Sequence, residues 1–426
     1  MAEQQDKGAP RGSGSFCIPR AAFHALLDAK ATAYEVITYL VLARFTDATG
    51  RFSVASISAV NRYTGSNKLK GGPVGRAIER LKSIRVKTVK KVSNGLSGRK
   101  HEWIEQATDL GPILIDRETW HEQTDEILPD GPIERSRVLY VLPDFDEPIE
   151  DRIWFGGNLV TGIGEFKQPL KVLKNLGDVA ARLLLAMYAA NDMEIWGGVR
   201  PVGAVCGPHK RYEPITEDVP LNGGSRLHRA KDHSYIAPVN ARFSGESGAG
   251  DEAYWQALRA LESTGLIYEV VMVLNRNAKK EKFSNGEEYS SIPNDAEPLY
   301  ELDARSQHGY KPVGEEGIGG ATANTAHAIG RGVAVEGGKF DGTYAAIVPT
   351  GYPAMIAGIY RLRFRVANPK NAGVSGAWAR IRQGNREAFD WVQAVRAANQ
   401  LPPLTAPWEA NKPAAPEKKV SDASPF

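Results

Sequence analysis

Cysteine is nearly absent from this 426-residue chain. Cys17 and Cys206 lie far apart, which excludes a disulfide framework and makes a reducing cytoplasm the expected setting. No run of 18 apolar residues occurs, so no helical membrane span and no membrane partner is expected. The opening MAEQQDKGAPRGSGS is polar and has no apolar core of the secretory kind. The Gly-rich stretch 306–345 has neither G-x-x-x-x-G-K-[ST] nor G-x-G-x-x-G, so nothing there predicts a phosphate-cradling loop. No paired-carboxylate or H-x-H arrangement stands out, so neither an enzyme nor a cofactor is expected. What is present is ordinary globular composition, 42% hydrophobic and 24% charged, with room for two or three cored domains.

The formal net charge of +3 conceals a concentration. Ser66 to Lys100 carries eleven Lys or Arg against one acid, Glu79, and is offset by acids elsewhere. A merely solvated face mixes signs, as paired lysines and glutamates do along a helix. Dense charge of one sign on a short element is the footprint of a polyanion, which makes double-stranded DNA the expected partner.

Residues 1–15 read as a disordered arm. Pro19 suits a first helical position, with Phe23, Leu26 and Leu27 on an apolar face. Thr32-Ala33-Tyr34-Glu35 predicts a capping box, then Val36, Ile37, Leu40, Val41 and Phe45 at helical spacing up to Gly50. Ser53 is placed to cap a short helix with Ile57 and Val60 inward, ending at Tyr63-Thr64-Gly65. Pro73 opens the next, with Val74, Ala77, Ile78 and Leu81 as its buried stripe and Arg76 and Arg80 outside. RVKTVKKV, a polar turn and KHEWIEQ read as a β-hairpin.

This order resembles the winged helix-turn-helix family over about 90 residues, carried by Ile57, Val60, Thr64-Gly65-Ser66, Val74, Ala77, Ile78, Leu81 and the hairpin 86–105. The spacer Lys68-Leu69-Lys70-Gly71-Gly72 departs from the pattern. FCIPRAAFHALL also resembles the start of plasmid and phage replication initiators and replisome organisers. In the family's docking a helix enters the major groove and the hairpin meets phosphates or the minor groove. Asn67 and Arg76 then fall near base edges, Lys68, Lys70, Arg80, Lys87, Lys90, Lys91, Arg99 and Lys100 near phosphates, and Ser66 is a further DNA-binding candidate.

The winged-helix segment is placed at 16–110 and an acidic, proline-containing, irregular connector at 111–165, with a strand possible at Ser136–Leu142. An internal repeat follows: 38–60 compares with 183–205, and 74–92 with 254–274. A second, degenerate winged helix is therefore expected over 166–305, with an insertion at 206–250. Its hairpin would pair 266–274 with 297–303 across a polar loop, 275–296. Its recognition position, DEAYWQALRALES, is acid-rich and suits packing or dimerisation, so a homo-oligomer is expected. Cys206, His209, His228 and His233 have C-x2-H and H-x4-H spacing, read either as a zinc quartet or as loop histidines without metal.

Residues 306–345 read as a Gly-rich surface loop and 346–400 as a basic strand and helix. Arg361, Arg363 and Arg365 alternate with Tyr360, Leu362, Phe364 and Val366, a pattern able to track phosphates or pair with the acidic connector. Asn385 is read as the cap of a last helix, and 401–426 as a disordered tail. The tip Pro425-Phe426 resembles the C-terminal tip of bacterial single-stranded DNA-binding proteins, which implies docking to host replication proteins.

The expected fold class is α+β: tandem winged helices, a C-terminal α+β region and disordered tails. The resemblance implies a sequence-specific duplex DNA-binding protein of a mobile element, acting in replication initiation or replisome organisation. A transcriptional repressor using the same winged helix and a non-DNA-binding interaction protein are the alternatives.

Overall fold

Side-chain caps open the second and third helices of the chain. A computed structural model describes residues 14–47, 49–66, 72–93, 103–123, 134–164, 166–200, 205–206, 216–231, 235–236, 252–282, 286, 288–304, 317–331, 335–336, 339–340, 343–364 and 376–408. Strand β1 (Ser15–Ile18) begins within the expected arm, and Pro19 is the N-cap of α1 (Arg20–Asp28). Thr32 Oγ1 accepts from the Glu35 amide at 3.3 Å while Glu35 Oε2 accepts from the Thr32 amide at 2.9 Å, so the predicted box opens α2 (Ala33–Arg44). That helix stops well before Gly50, which turns at φ +73°. Ser53 lies in β2 (Phe52–Ser53), and Ser56 is the cap of α3 (Ile57–Thr64), accepting from the Ala59 amide at 3.2 Å. Helix α4 (Pro73–Ser83) buries Val74, Ala77, Ile78 and Leu81 as expected. The three larger side chains each contribute about 1.5–3 kcal/mol on burial.

Strands β3 (Arg85–Ser93) and β4 (Trp103–Pro112) form the anticipated antiparallel hairpin. The acidic stretch after it is no irregular connector. It contains β5 (Ile115–Gln123), β6 (Glu134–Val141), β7 (Ile153–Gly156) and the short helix α5 (Asn158–Thr161). β6 pairs with β2 and β7 with β1, while Ile113, Leu114, Tyr140 and Leu142 are buried. The acids sit between these apolar positions, which is why charge alone misled. Helices α6 (Pro169–Leu176) and α7 (Asp178–Ala189) and strands β8 (Asn191–Asp192) and β9 (Gly198–Val199) follow. α7 holds the start of α2: Asp178 Oδ1 accepts from the Ala33 amide at 2.7 Å, and Arg182 donates to the Ala31 carbonyl at 2.9 Å.

Further along come β10 (Val205–Cys206), β11 (Thr216–Leu221), β12 (Ser225–Lys231), β13 (Tyr235–Ile236), α8 (Glu252–Ser263) and β14 (Ile267–Leu274). The expected loop 275–296 carries a hairpin, β15 (Lys279–Lys282) with β16 (Glu288–Ser291). β17 (Pro298–Ala304) pairs with β14 as the sequence implied. The Gly-rich region contains helix α9 (Ile318–Ala328) and the small strands β18 (Val335–Glu336) and β19 (Lys339–Phe340). β20 (Thr343–Pro349), β21 (Met355–Leu362) and α10 (Gly376–Ala398) complete the order. The segment 401–408 is tied down rather than a free tail: Gln393 Nε2 donates to the Leu404 carbonyl at 2.7 Å, and the Leu404 amide donates back to Gln393 Oε1 at 3.2 Å.

The architecture is α+β with small sheets, divided into two compact units. Unit 1 comprises Met1–Ala204, Ile236–Glu269 and Tyr360–Ala377; unit 2 comprises Val205–Tyr235, Val270–Ile359 and Trp378–Phe426. Unit 1 centres on α2, packed by α3, α4, α6 and α7. Unit 2 has its own core of Leu227, Tyr300, Tyr344, Ile347, Phe389 and Val392 among others. No helix among the described residues is long and apolar enough to cross a membrane.

Candidate nucleic-acid interface

Gly65 is the pivot of the basic region. It ends α3 in the left-handed conformation (φ +65°, ψ 26°), and the Ser66 amide donates back to the Asn61 carbonyl at 3.1 Å. Helix α4 then exposes Arg76 and Arg80 on the side opposite its buried stripe. The structure thus places Ser66 just after α3, Arg76 and Arg80 on α4 and Lys87 on β3, all in unit 1. Lys90 and Lys91 lie on β3 with their backbones opposite Gln106 and Glu105. Asn67, Lys68, Lys70, Arg99 and Lys100 lie outside the described residues.

Two further cations of this region are neutralised. Lys82 is paired with Asp116 and, at 2.8 Å, with Glu79. Partial burial opposes its charge, but those carboxylates hold its pKa above the ordinary lysine value. Arg85 Nε lies 2.5 Å from Asp109 Oδ2. That guanidinium and the Gly111 amide, with a smaller pull from Lys87 beyond ion-pair distance, hold the Asp109 carboxyl below its usual range. By contrast Arg80 and Lys87 make no ion pair among the described residues.

Sequence reading missed Lys171. It projects from α6 over the Gly65 turn, its Cδ 3.0 Å from where a Gly65 Cβ would stand, and it too has no ion pair among the described residues. Lys171 and Lys174, spaced one helical turn apart, were the available signal. Only tertiary packing of α6 against α3 gives the spacing a meaning.

Of the arginine row, Arg361 and Arg363 are not displayed on an open face. Arg361 is 2% exposed. Arg363 Nε donates to the Gly265 carbonyl at 2.7 Å, and its guanidinium lies 4.5 Å from the Phe166 ring centroid. β21 is buried on both sides over most of its length, so alternation there does not mark a wet face. Arg365 lies outside the described residues.

His228 is not a loop histidine. It sits in β12, between β11 and β20, and is 5% exposed. Its Nδ1 lies 2.8 Å from Asp218 Oδ1, and Arg226 pairs with the same carboxylate. A carboxylate only accepts, so the neutral ring carries its proton on Nδ1. Burial lowers the imidazole pKa, although Asp218 acts the other way. Cys206 belongs to a different sheet, through β10. His209, His233, Pro425 and Phe426 lie outside the described residues. Among the described residues no three His, Cys, Asp or Glu side chains gather as a metal site.

In comparisons with known proteins, no family model, no curated protein and no solved structure matches this chain.

Proposed function

We propose that residues 56–112 act as a winged helix that binds duplex DNA sequence-specifically, α4 entering the major groove and the β3–β4 hairpin meeting the backbone. The supporting observation is a local charge mismatch: Arg80, Lys87 and Lys171 have no ion pair among the described residues, while Lys82 and Arg85 beside them are held by carboxylates. A face whose only task is solvation gains nothing from leaving some cations outside ion-pair distance of a carboxylate beside others that are paired. Lys171, Arg80 and Lys87 serve as phosphate contacts, and Arg76 reads a base edge.

The degenerate second copy rests on the sequence repeat: α2 and α4 are joined by β2 and α3, whereas β8 to β13 stand between α7 and α8. On α8, Arg259 is paired with Glu252 at 3.0 Å, so that helix offers no comparable cationic face and suits assembly into a homo-oligomer. The replication role rests on the resemblance of the opening segment; a repressor would need only operator occupancy.

The test selects bound fragments from a random or source-genome DNA pool, then measures affinity against salt for Arg80→Ala/Lys87→Ala. Two lost phosphate contacts lower the log–log slope by about 1.8 and weaken binding about 30-fold at about 0.15 M salt. Unchanged slope and affinity in a folded double variant refute the assignment.

A further inference from the structure

Helix α1 and the junction of α4 with β3 enclose a half-open groove of about 750 Å³ within unit 1. That is the size of a small-ligand site. Its floor is apolar and shallow-walled: Ala21, Ala25 and Ala29 from successive turns of α1, with Ile84 and Val86 buried beneath. Side chains of this size leave depth for a flat ring. The polar groups are sorted by wall. Arg80, Arg85 and Lys87 line the α4–β3 side, and His24 and Asp28 line the α1 side. Arg85 is occupied by Asp109, which leaves Arg80 and Lys87 as the two cations without an ion pair among the described residues.

We propose that this groove binds a nucleotide, its phosphate on Arg80 and Lys87 and its base over the alanine floor against the His24 ring. A bare inorganic anion would have no use for the apolar floor, and a fatty acid none for an imidazole and carboxylate at the far wall. A nucleotide has the matching polarity: anionic at one end and a flat ring at the other. The choice of ligand rests on the nucleic-acid reading above, since Arg80 and Lys87 belong to both surfaces. The same chemistry is supplied by a free mononucleotide or by an unpaired nucleotide at the end of a bound strand.

Calorimetry on the full chain tests this with the four deoxynucleoside triphosphates, with a duplex bearing a short single-stranded overhang, and with the blunt duplex. The expected result is saturable binding of a free nucleotide, or tighter binding of the overhang than of the blunt end; which of the two occurs identifies the source. Ala29→Trp fills the groove and His24→Ala removes the stacking ring. Each weakens that binding on the order of 10-fold, with blunt-duplex affinity unchanged. Should Ala29→Trp fail to fold, His24→Ala, at an exposed rim position, decides alone. The proposal is overturned if free nucleotides do not bind and overhang and blunt duplex bind alike, or if binding is unaltered in a folded groove variant. Nucleotide binding lost in these variants, together with no duplex binding by the parent, would refute the winged-helix reading and leave the groove standing.

Discussion

Gly384 lies inside α10, where replacement by Ala would ordinarily add about 0.8–1.0 kcal/mol of stability. Its surroundings reverse that sign. A Cβ on Gly384 would stand 2.8 Å from the Leu299 carbonyl carbon, closer still to its oxygen, and 3.4 Å from Tyr300 Cβ. Backbone cannot step aside as a side chain does, so the helix must retreat from β17. The next residue makes the retreat costly: Asn385 Oδ1 accepts from the Glu301 amide at 3.0 Å. Overpacking costs about 1–3 kcal/mol, and stranding that amide about 1–3 kcal/mol more. Set against the helix-propensity gain, Gly384→Ala should destabilise by about 1–5 kcal/mol. The control is Gly75 in α4, whose added Cβ meets nothing within 4 Å; Gly75→Ala should stabilise by about 0.5–1 kcal/mol. Urea unfolding followed by tryptophan fluorescence reads both. If Gly384→Ala raises the midpoint as Gly75→Ala does, the close approach of α10 to β17 is wrong.

Thr32→Ala removes one half of the capping box and should cost about 0.5–2 kcal/mol, measured by the same unfolding; no change would mean that Glu35 alone holds the helix start. His228 gives a pH signature. With its folded pKa below the ordinary value of 6.5, the unfolded chain takes up the proton first as pH falls. Stability should therefore be level above about pH 7 and fall below about 6.5, by up to about 1.4 kcal/mol per pH unit, until the folded imidazole also titrates. His228→Asn, whose amide nitrogen can replace the Nδ1 donor, should flatten that limb; an unflattened limb refutes the assignment.

Local signals in the sequence were legible where local chemistry decides. The Thr32–Glu35 box, the stripe Val74, Ala77, Ile78 and Leu81, and the pairing of β14 with β17 follow from spacing and capping. Long-range partners were not legible. Asn385 looks like a cap, yet serves an amide of another element. Arg361 and Arg363 look displayed, yet β21 is covered on both faces. Helix α9, IGGATANTAHA, buries Ile318, Ala321, Thr322, Thr325 and Ala326, residues too small to stand out as an apolar stripe. Of the candidate interface, α4 and the hairpin could be read, but Lys171 needed α6 packed against α3, and the groove needed α1 beside β3.

The two units are threaded in six alternating segments, and this bears on how the protein can be made. The core of unit 1 includes Phe364, whose carbonyl accepts from the Gly156 amide and from the Tyr188 hydroxyl, both at 3.1 Å. A ribosome adding ~5–20 residues per second needs roughly 8–30 s to travel from residue 204 to residue 364. Through that interval β7 and α7 wait without those two hydrogen bonds, and the core without the Phe364 ring. Unit 1 is thus completed late in synthesis, although most of its residues emerge first. A fragment ending at 204 would stay in that waiting condition permanently, so the proposed DNA-binding region has to be produced as part of the full chain.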